Sequence, residues 1–447
     1  MPWILDVIYV AFLAVVSPVI LFRVIVHGKY RDGWREKLFG RLPGPRSNGP
    51  RIWFHAVSVG EVLQLQSVLN ALRKERRDVE FLVTTTTRTG LAVAREKFPD
   101  DVVSYFPLDF SWAVRTAIRR VRPAAIVLVE LELWPNFIFA ARRHNIPLAL
   151  INGRISEKSF RGYRRIRPLM RRVLECFGLL AVQNEIYARR LCDLGAIPSL
   201  VAVSGSIKFD GVETSRANPK TAELRRSFGI RNNERVFIAG STQAPEEDYA
   251  LESWLALRDE FPDLRLILVP RHKERFEQVA RLVEGRGLPL VRRTSVRGTD
   301  SEARLFGKAG LLKPAGLLKH DEIPPVLLLD TLGELAACWG LADVAFVGGS
   351  LTRRGGQNMI EPAGYGAAVL FGPNTHNFRD VVEMLLAYGA ASVVTDPADL
   401  TATLRQLLSQ PGAAQARGKT AQQLVLSQQG ATAKTIHFLG ELLPRAA

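Results

Sequence analysis

The chain has 447 residues, 47% of them hydrophobic and 23% charged, with Gly and Pro near their usual frequencies. This composition excludes a small disulfide-bonded scaffold, a collagen-like repeat and a wholly disordered chain, and the length predicts two or three domains. The formal net charge of +16 indicates anionic partners, which could be nucleic acid, an anionic lipid surface or a phosphorylated ligand.

An apolar segment lies near the N-terminus. The 16 residues from Val7 to Phe22 carry no charge, whereas about 20 apolar residues cross a bilayer, and Lys and Arg dominate the stretch that follows. We predict a membrane-anchor helix within residues 1–46, either a single pass or a shallow anchor, with the rest of the chain on the cytoplasmic side. A cleaved signal peptide is disfavoured because no basic residue precedes the run and no small-residue cleavage site follows it. The alternative is a buried helix of a soluble protein.

From residue 51 onward, short apolar runs alternate with helical patterns, which is typical of βα units and a parallel sheet. The predicted strands of the first half are IWFHAV, EFLVTT, VVSYF, AAIVLVE, PLALIN, LLAV and LVAVSG. Those of the second half are RVFIAG, LRLILV, VLLLD, DVAFVGG, AVLFG and ASVVT. We therefore predict an α/β protein with two doubly wound domains facing a cleft, residues 47–212 and 233–447, joined by a linker at 213–232. Residues 296–325 show no strand pattern and are interpreted as a surface loop or an insertion.

Three strand ends of the first half carry side chains suited to catalysis. Glu61 lies in the first turn of the helix after the first strand, so it is either a stabilising first-turn carboxylate or a general base. Glu130 and Glu132 follow AAIVLV one residue apart, which places them on the same side if the strand continues. If buried, they need partners or a raised pKa. Lys208 follows the last strand, where it could neutralise developing negative charge or lie exposed at the surface.

The second half offers strand ends suited to an anionic ligand. Arg271 follows LILVP and could hold a phosphate through two parallel hydrogen bonds. VLLLD leads through Gly333 to Glu334 at the start of a helix. The stretch GGSLTRRGGQNMIEP combines two glycine pairs with Glu361 on an opening helix. Its backbone N–H groups could bind an anion and Glu361 could accept from ribose hydroxyls, although tight turns have the same composition.

Several enzyme classes are excluded by spacing. The chain has no GxxxxGK[ST] motif, and no GxGxxG follows a strand, which argues against a P-loop NTPase and a dinucleotide dehydrogenase. No DxD motif ends a strand and the histidines are scattered, so we predict no catalytic metal. Cys176, Cys192 and Cys338 are isolated from one another, which indicates a reducing compartment.

The segment from Arg154 to Arg172 is strongly basic. It holds eight Lys or Arg against one Glu, interleaved with Phe, Tyr, Ile, Leu and Met. Nucleic-acid binding and a merely solvated basic helix are possible interpretations. Together with the predicted anchor, the segment favours an interfacial patch that binds anionic headgroups or a phosphorylated lipid substrate.

Seven motifs, spread over the chain in order, carry a family resemblance. They are HAVSVGEV, ELELWPN, QNE, GSIKFD, VPRH, DTLGEL and AFVGGSLTRRGGQNMIEP. With these motifs the chain resembles the 3-deoxy-D-manno-octulosonic acid (Kdo) transferases of lipopolysaccharide assembly. The resemblance implies the B-type glycosyltransferase fold and transfer of Kdo from CMP-Kdo to the tetraacylated lipid A precursor, with inversion and without a metal or other cofactor. It also implies an inner-membrane location and no nucleic-acid partner.

The resemblance further assigns roles to individual residues. Glu61 would be the general base, and Glu130 and Lys208 would assist the transition state. Two positions depart from the family pattern, because Gln243 and Gln357 stand where histidine is common. The residues implied to contact CMP are Pro270, Arg271, Leu332, Gly333, Glu334, Asn358, Met359, Ile360 and Glu361.

Overall fold

The computed structural model describes residues 3, 5–11, 14, 15, 17, 32–296, 323–410 and 412–443. The chain forms two compact units, one of Met1–Gly211 with Gln428–Ala447 and the other of Val212–Ser427. The second unit therefore begins before residue 233 and ends before residue 447, the bounds predicted from the sequence. Most of the predicted 296–325 loop lies outside the described residues.

The first unit contains a seven-stranded parallel sheet in the order β3-β2-β1-β4-β5-β6-β7. Its strands are β1 (Arg51–His55), β2 (Glu80–Thr85), β3 (Val102–Tyr105), β4 (Ala125–Val129), β5 (Leu148–Gly153), β6 (Leu179–Val182) and β7 (Val201–Val203). Its described helices include Trp34–Phe39, Val59–Glu75, Arg88–Lys97, Ser111–Val121, Pro135–Arg143, Glu157–Arg164, Arg167–Leu174, Glu185–Leu194 and the C-terminal Ala431–Leu442.

The second unit contains a parallel sheet in the order β10-β11-β9-β8-β12-β13-β14. Its strands are β8 (Arg235–Thr242), β9 (Leu264–Pro270), β10 (Leu290–Arg292), β11 (Val326–Leu328), β12 (Val344–Val347), β13 (Ala368–Phe371) and β14 (Ala391–Val393). Its described helices include Pro219–Ser227, Glu246–Leu257, Phe276–Gly285, Leu335–Cys338, Ile360–Gly364, Arg379–Ala387, Pro397–Ser409 and Ala413–Ser427.

The central strands are continuously apolar because helices cover both faces of each sheet. Every residue of β4 is buried, and so is every residue of β12 and β13. All thirteen predicted strands occur in the structure. Strand β10 was missed because its three residues end in a run of arginines and lack an apolar pattern.

The C-terminal segment belongs to a different unit from the one that the sequence suggested. The C-terminal helix packs on the first unit, where Ile436 and Leu439 join the core of that unit. The part of the predicted anchor at residues 18–31 lies outside the described residues. Within the described part of the chain, no helix has both the length and the apolar character needed to cross a membrane.

Candidate functional site

The carboxyl ends of β1 and β4 are neighbours at the point where the strand order of the first sheet reverses. In open parallel sheets, ligands bind at this position. Glu61 follows β1, and both Glu130 and Glu132 follow β4. The structure thus brings three of the carboxylates predicted from the sequence to one edge of one sheet, and Lys208 follows β7 at the same edge.

Glu61 is held at the start of the helix Val59–Glu75. One carboxylate oxygen accepts from the backbone N–H of Val57 at 2.8 Å, and the other accepts from the hydroxyl of Ser58 at 2.7 Å. Ser58 is the N-cap and accepts in turn from the Glu61 N–H, so Ser58 and Glu61 form a reciprocal capping box. The Glu61 side chain is therefore fixed in place, and it is 7% exposed.

Strand β4 ends at Val129, so Glu130 and Glu132 do not continue it as the sequence pattern suggested. Glu130 has a left-handed backbone, φ +60°, which turns the chain away from the sheet. Its carboxylate pairs with Arg154 at 2.9 Å. The Glu132 carboxylate instead accepts from the indole N–H of Trp134 at 3.0 Å.

The three carboxylates share one electrostatic environment. Burial raises the pKa of Glu61, and the nearby Glu130 charge adds to this rise, against hydrogen bonds from Ser58 and Val57 that lower it. Burial, followed by the Glu61 charge, raises the pKa of Glu132 to about 7. Two acidic groups with raised pKa values at a strand end are typical of a catalytic site.

Hydrogen bonds tie the ends of β5, β6 and β7 together beside this cluster. The Asn152 side chain donates to Gln64 at 2.6 Å and accepts from the backbone N–H of Ile207 at 3.2 Å. The Gln183 side chain donates to the Asn152 carbonyl at 3.1 Å. Lys208 lies in the 3-10 turn Ile207–Phe209 that this network positions. Sequence reasoning missed Asn152, whose left-handed backbone at φ +53° places it there.

In the second unit, the predicted CMP-contacting residues fall at three places. Pro270 ends β9 and is buried, while the side chain of Arg271, directly after it, is exposed. Leu332 and Gly333 lie in the exposed turn after β11. Glu334 accepts from the buried guanidinium of Arg293 at 2.9 Å.

The remaining four predicted CMP-contacting residues, 358–361, lie at the start of the helix Ile360–Gly364. Met359 and Ile360 are buried in the core of the unit. The Asn358 amide donates to the Glu361 carboxylate at 2.9 Å. Burial raises the pKa of Glu361, whereas Asn358 and the charge of Arg271 lower it. Arg271 and Glu361 are therefore close enough to interact.

The glycine-rich loop after β12 has a partner that the sequence did not reveal. The fully buried carboxylate of Glu246 accepts from the backbone N–H groups of Gly349, Ser350 and Leu351 at 2.7 to 3.0 Å. Three of the N–H groups that could have bound an anionic ligand are thus already paired within the protein. This part of the loop is held in place by Glu246.

The basic segment 154–172 forms the helix Glu157–Arg164 and the start of the helix Arg167–Leu174. Phe160, Tyr163 and Leu169 pack against the core of the first unit, while Ile166 is 46% exposed. The basic side chains of the segment lie exposed on the outer side. The segment is an amphipathic pair of helices with a cationic outer face.

Known proteins resemble this chain in fold, and others resemble it in sequence. A glycosyltransferase from Rickettsia africae is similar with a TM-score of 0.53 and 11% identity over 90% of this chain and all of that one. A UDP-GlcNAc 2-epimerase from Neisseria meningitidis, bound to UDP-GlcNAc, has a TM-score of 0.55 and 12% identity over 88% of this chain and all of that one. The chain thus has the B-type glycosyltransferase fold, which both enzyme classes use.

The sequence comparison is more specific. Residues 32–211 match the model of the 3-deoxy-D-manno-octulosonic-acid transferase (kdotransferase) family. A 3-deoxy-D-manno-octulosonic acid transferase from Bordetella pertussis is 33% identical over 419 residues, which is 91% of each chain. The chain belongs to the Kdo transferase family and is a glycosyltransferase.

Proposed function

We propose that the chain moves Kdo from CMP-Kdo to the tetraacylated lipid A precursor, with inversion at the anomeric carbon. The observation that carries this proposal is the fixed, buried carboxylate of Glu61 at the carboxyl end of β1, in a chain of this family. A general base must be aimed before the acceptor arrives, and a raised pKa makes it a stronger proton acceptor. Two hydrogen bonds aim the Glu61 carboxylate, and burial raises its pKa.

In the proposed reaction, Glu61 removes the proton from an acceptor hydroxyl as its oxygen bonds to the anomeric carbon of Kdo. The bond from that carbon to the phosphate oxygen breaks, and CMP leaves with the electron pair. Lys208 and Glu130 assist the transition state, Lys208 by neutralising negative charge as it develops. The ion pair with Arg154 fixes the Glu130 side chain at the same sheet edge as Glu61.

The donor is assigned to the second unit. Arg271 supplies a fixed positive charge for the CMP phosphate, and Glu361 accepts hydrogen bonds from the ribose hydroxyls. Because a nucleoside monophosphate carries little charge, we expect no metal. Turnover should then be unchanged by a chelator.

The location at the cytoplasmic face of the inner membrane is also part of the proposal. A lipid acceptor requires the enzyme to work at a bilayer surface. The apolar segment near the N-terminus and the exposed cations of residues 154–172 both support this location. Nucleic acid has no place in the proposal.

CMP release, measured with and without the lipid acceptor in the presence of a chelator, tests this function against its rivals. The proposal expects release that depends on the lipid. Another B-type glycosyltransferase would release nucleotide with a different donor or acceptor, and an epimerase would convert a free nucleotide sugar without lipid. A noncatalytic anionic-lipid binder would release no CMP and would bind vesicles in a steeply salt-dependent way.

A further inference from the structure

Two helices of the first unit begin without a capping side chain of their own. The N-cap residues of the helices Ser111–Val121 and Pro135–Arg143 are Phe110 and Trp134, which carry no side-chain acceptor for the first N–H groups. The second of these helices directly follows Glu130 and Glu132. The position of the loop that carries these two carboxylates therefore depends in part on what fixes the start of this helix.

Acidic side chains from elsewhere supply both caps. Asp109 accepts from the backbone N–H groups of Asn136 and Phe137 at 3.0 and 2.8 Å. Asp6, from the N-terminal segment, accepts from the backbone N–H of Ser111 at 2.9 Å and from the Ser111 hydroxyl at 2.5 Å. The first helix is thus capped by a residue 105 positions away in the sequence.

The same N-terminal segment also reaches the second helix. The Asn136 side-chain amide donates to Asp6 at 3.1 Å and to the Asp109 carbonyl at 2.6 Å. The hydroxyl of Tyr9 donates to the Asp109 carboxylate at 3.0 Å. Asp6 and Tyr9, one helical turn apart, therefore face the protein and hold both helix starts.

The other side chains of this segment are mostly apolar and exposed. Val7, Ile8 and Val10 are 62%, 54% and 51% exposed, as expected of side chains that meet lipid. The helical residues 5–11 thus combine polar contacts to the protein with exposed apolar side chains.

From this geometry we propose that Asp6 is a positioning residue for the transfer reaction. It joins the N-terminal segment to the helix Pro135–Arg143 and so fixes the loop that carries Glu130 and Glu132. The inference rests on the proposed function for its effect on rate, but the contact itself is testable without activity. Loss of Asp6 leaves the Ser111 N–H uncapped and the Asn136 amide with one acceptor fewer.

The test compares Asp6→Ala, Asp6→Asn and the control Val10→Ala in the full-length chain. We measure kcat and KM with detergent-dispersed acceptor, co-sedimentation with anionic lipid vesicles, and amide hydrogen exchange. We expect Asp6→Ala to lower kcat at least tenfold, with KM for the acceptor changed less than twofold and vesicle binding unchanged. Exchange should be faster at residues 131–140 and unchanged in the helix Glu185–Leu194. Asp6→Asn, which keeps an acceptor oxygen, should restore activity to within about threefold, and Val10→Ala should match the unmodified chain.

Two results would overturn the inference. One is unchanged exchange at residues 131–140 in Asp6→Ala. The other is a loss of rate that follows a loss of vesicle binding, since this would reduce the segment to an anchor. If the unmodified chain transfers no Kdo, the proposed function fails, and the exchange measurement alone decides whether Asp6 fixes the loop.

Discussion

The carboxylate of Glu246 lies 2.7 Å from the backbone nitrogen of Gly349, although the two residues are 103 positions apart in the sequence. Glu246 begins the helix after β8, and Gly349 follows β12, the neighbouring strand in the sheet. The same carboxylate accepts from the backbone N–H groups of Gln243, Ser350 and Leu351. One buried side chain thus fixes two loops at the place where the strand order of the second sheet reverses.

Replacing Glu246 with alanine should destabilise the second unit strongly. The change leaves buried N–H donors without a partner, each at a cost of about 1–3 kcal/mol, so we expect a loss of at least about 3 kcal/mol in unfolding free energy. Denaturant unfolding monitored by tryptophan fluorescence measures this loss of unfolding free energy. Glu252→Ala on the exposed side of the same helix is the matched control, expected within about 0.5 kcal/mol. A loss below about 1 kcal/mol for Glu246→Ala would show that the loop stands without this carboxylate.

Glu61→Gln should abolish transfer while it preserves the donor site. The amide cannot take a proton from the acceptor, so we expect kcat to fall at least about 100-fold. CMP affinity, measured by calorimetry, should stay within about twofold because the donor is assigned to the other unit. Ser58→Ala is the matched control, since it removes one hydrogen bond to Glu61 but keeps the base. It should lower kcat much less than Glu61→Gln does. Full activity of Glu61→Gln would remove this residue from the mechanism.

Glu132 should make the first unit less stable as the pH rises. Its folded pKa of about 7 lies above the value of about 4.3 for a free Glu, so the folded state binds the proton more tightly. The stabilisation that comes from this tighter proton binding is complete below about pH 4 and is lost as the pH rises through 7. Glu132→Gln has no such titration, so its melting temperature should exceed that of the unmodified chain at pH 8, with the gap closing towards pH 5. A constant gap between the two proteins would show that Glu132 ionises normally.

Arg271→Ala should weaken CMP binding at least about tenfold, because it removes the fixed cation assigned to the phosphate. Arg281→Ala removes the same charge from the exposed side of the helix Phe276–Gly285 and should change affinity less than about twofold. Calorimetric titration with CMP at two salt concentrations separates local from overall charge effects. Equal loss in both variants would assign the effect to net charge alone.

The sequence was informative wherever the signal is local. Apolar runs predicted thirteen strands, and the position of Glu61 in a first turn matched its place in the structure. The departures arose from tertiary contacts. The turn at Glu130 depends on a left-handed backbone that alternation of apolar residues does not encode. Asp6 and Glu246 each accept from backbone N–H groups about 100 positions away in the sequence, and no local pattern predicts such partners.

The mass of the lipid product tests the central claim most directly. The purified chain is incubated with CMP-Kdo and the tetraacylated lipid A precursor in the presence of a chelator, and the lipid is analysed by mass spectrometry. The account predicts that the lipid gains the mass of one or more whole Kdo residues, the number transferred being read from the same spectrum. An unchanged lipid mass, from a protein that still binds CMP, would contradict the proposed acceptor, and failure to bind CMP would contradict the proposed donor as well.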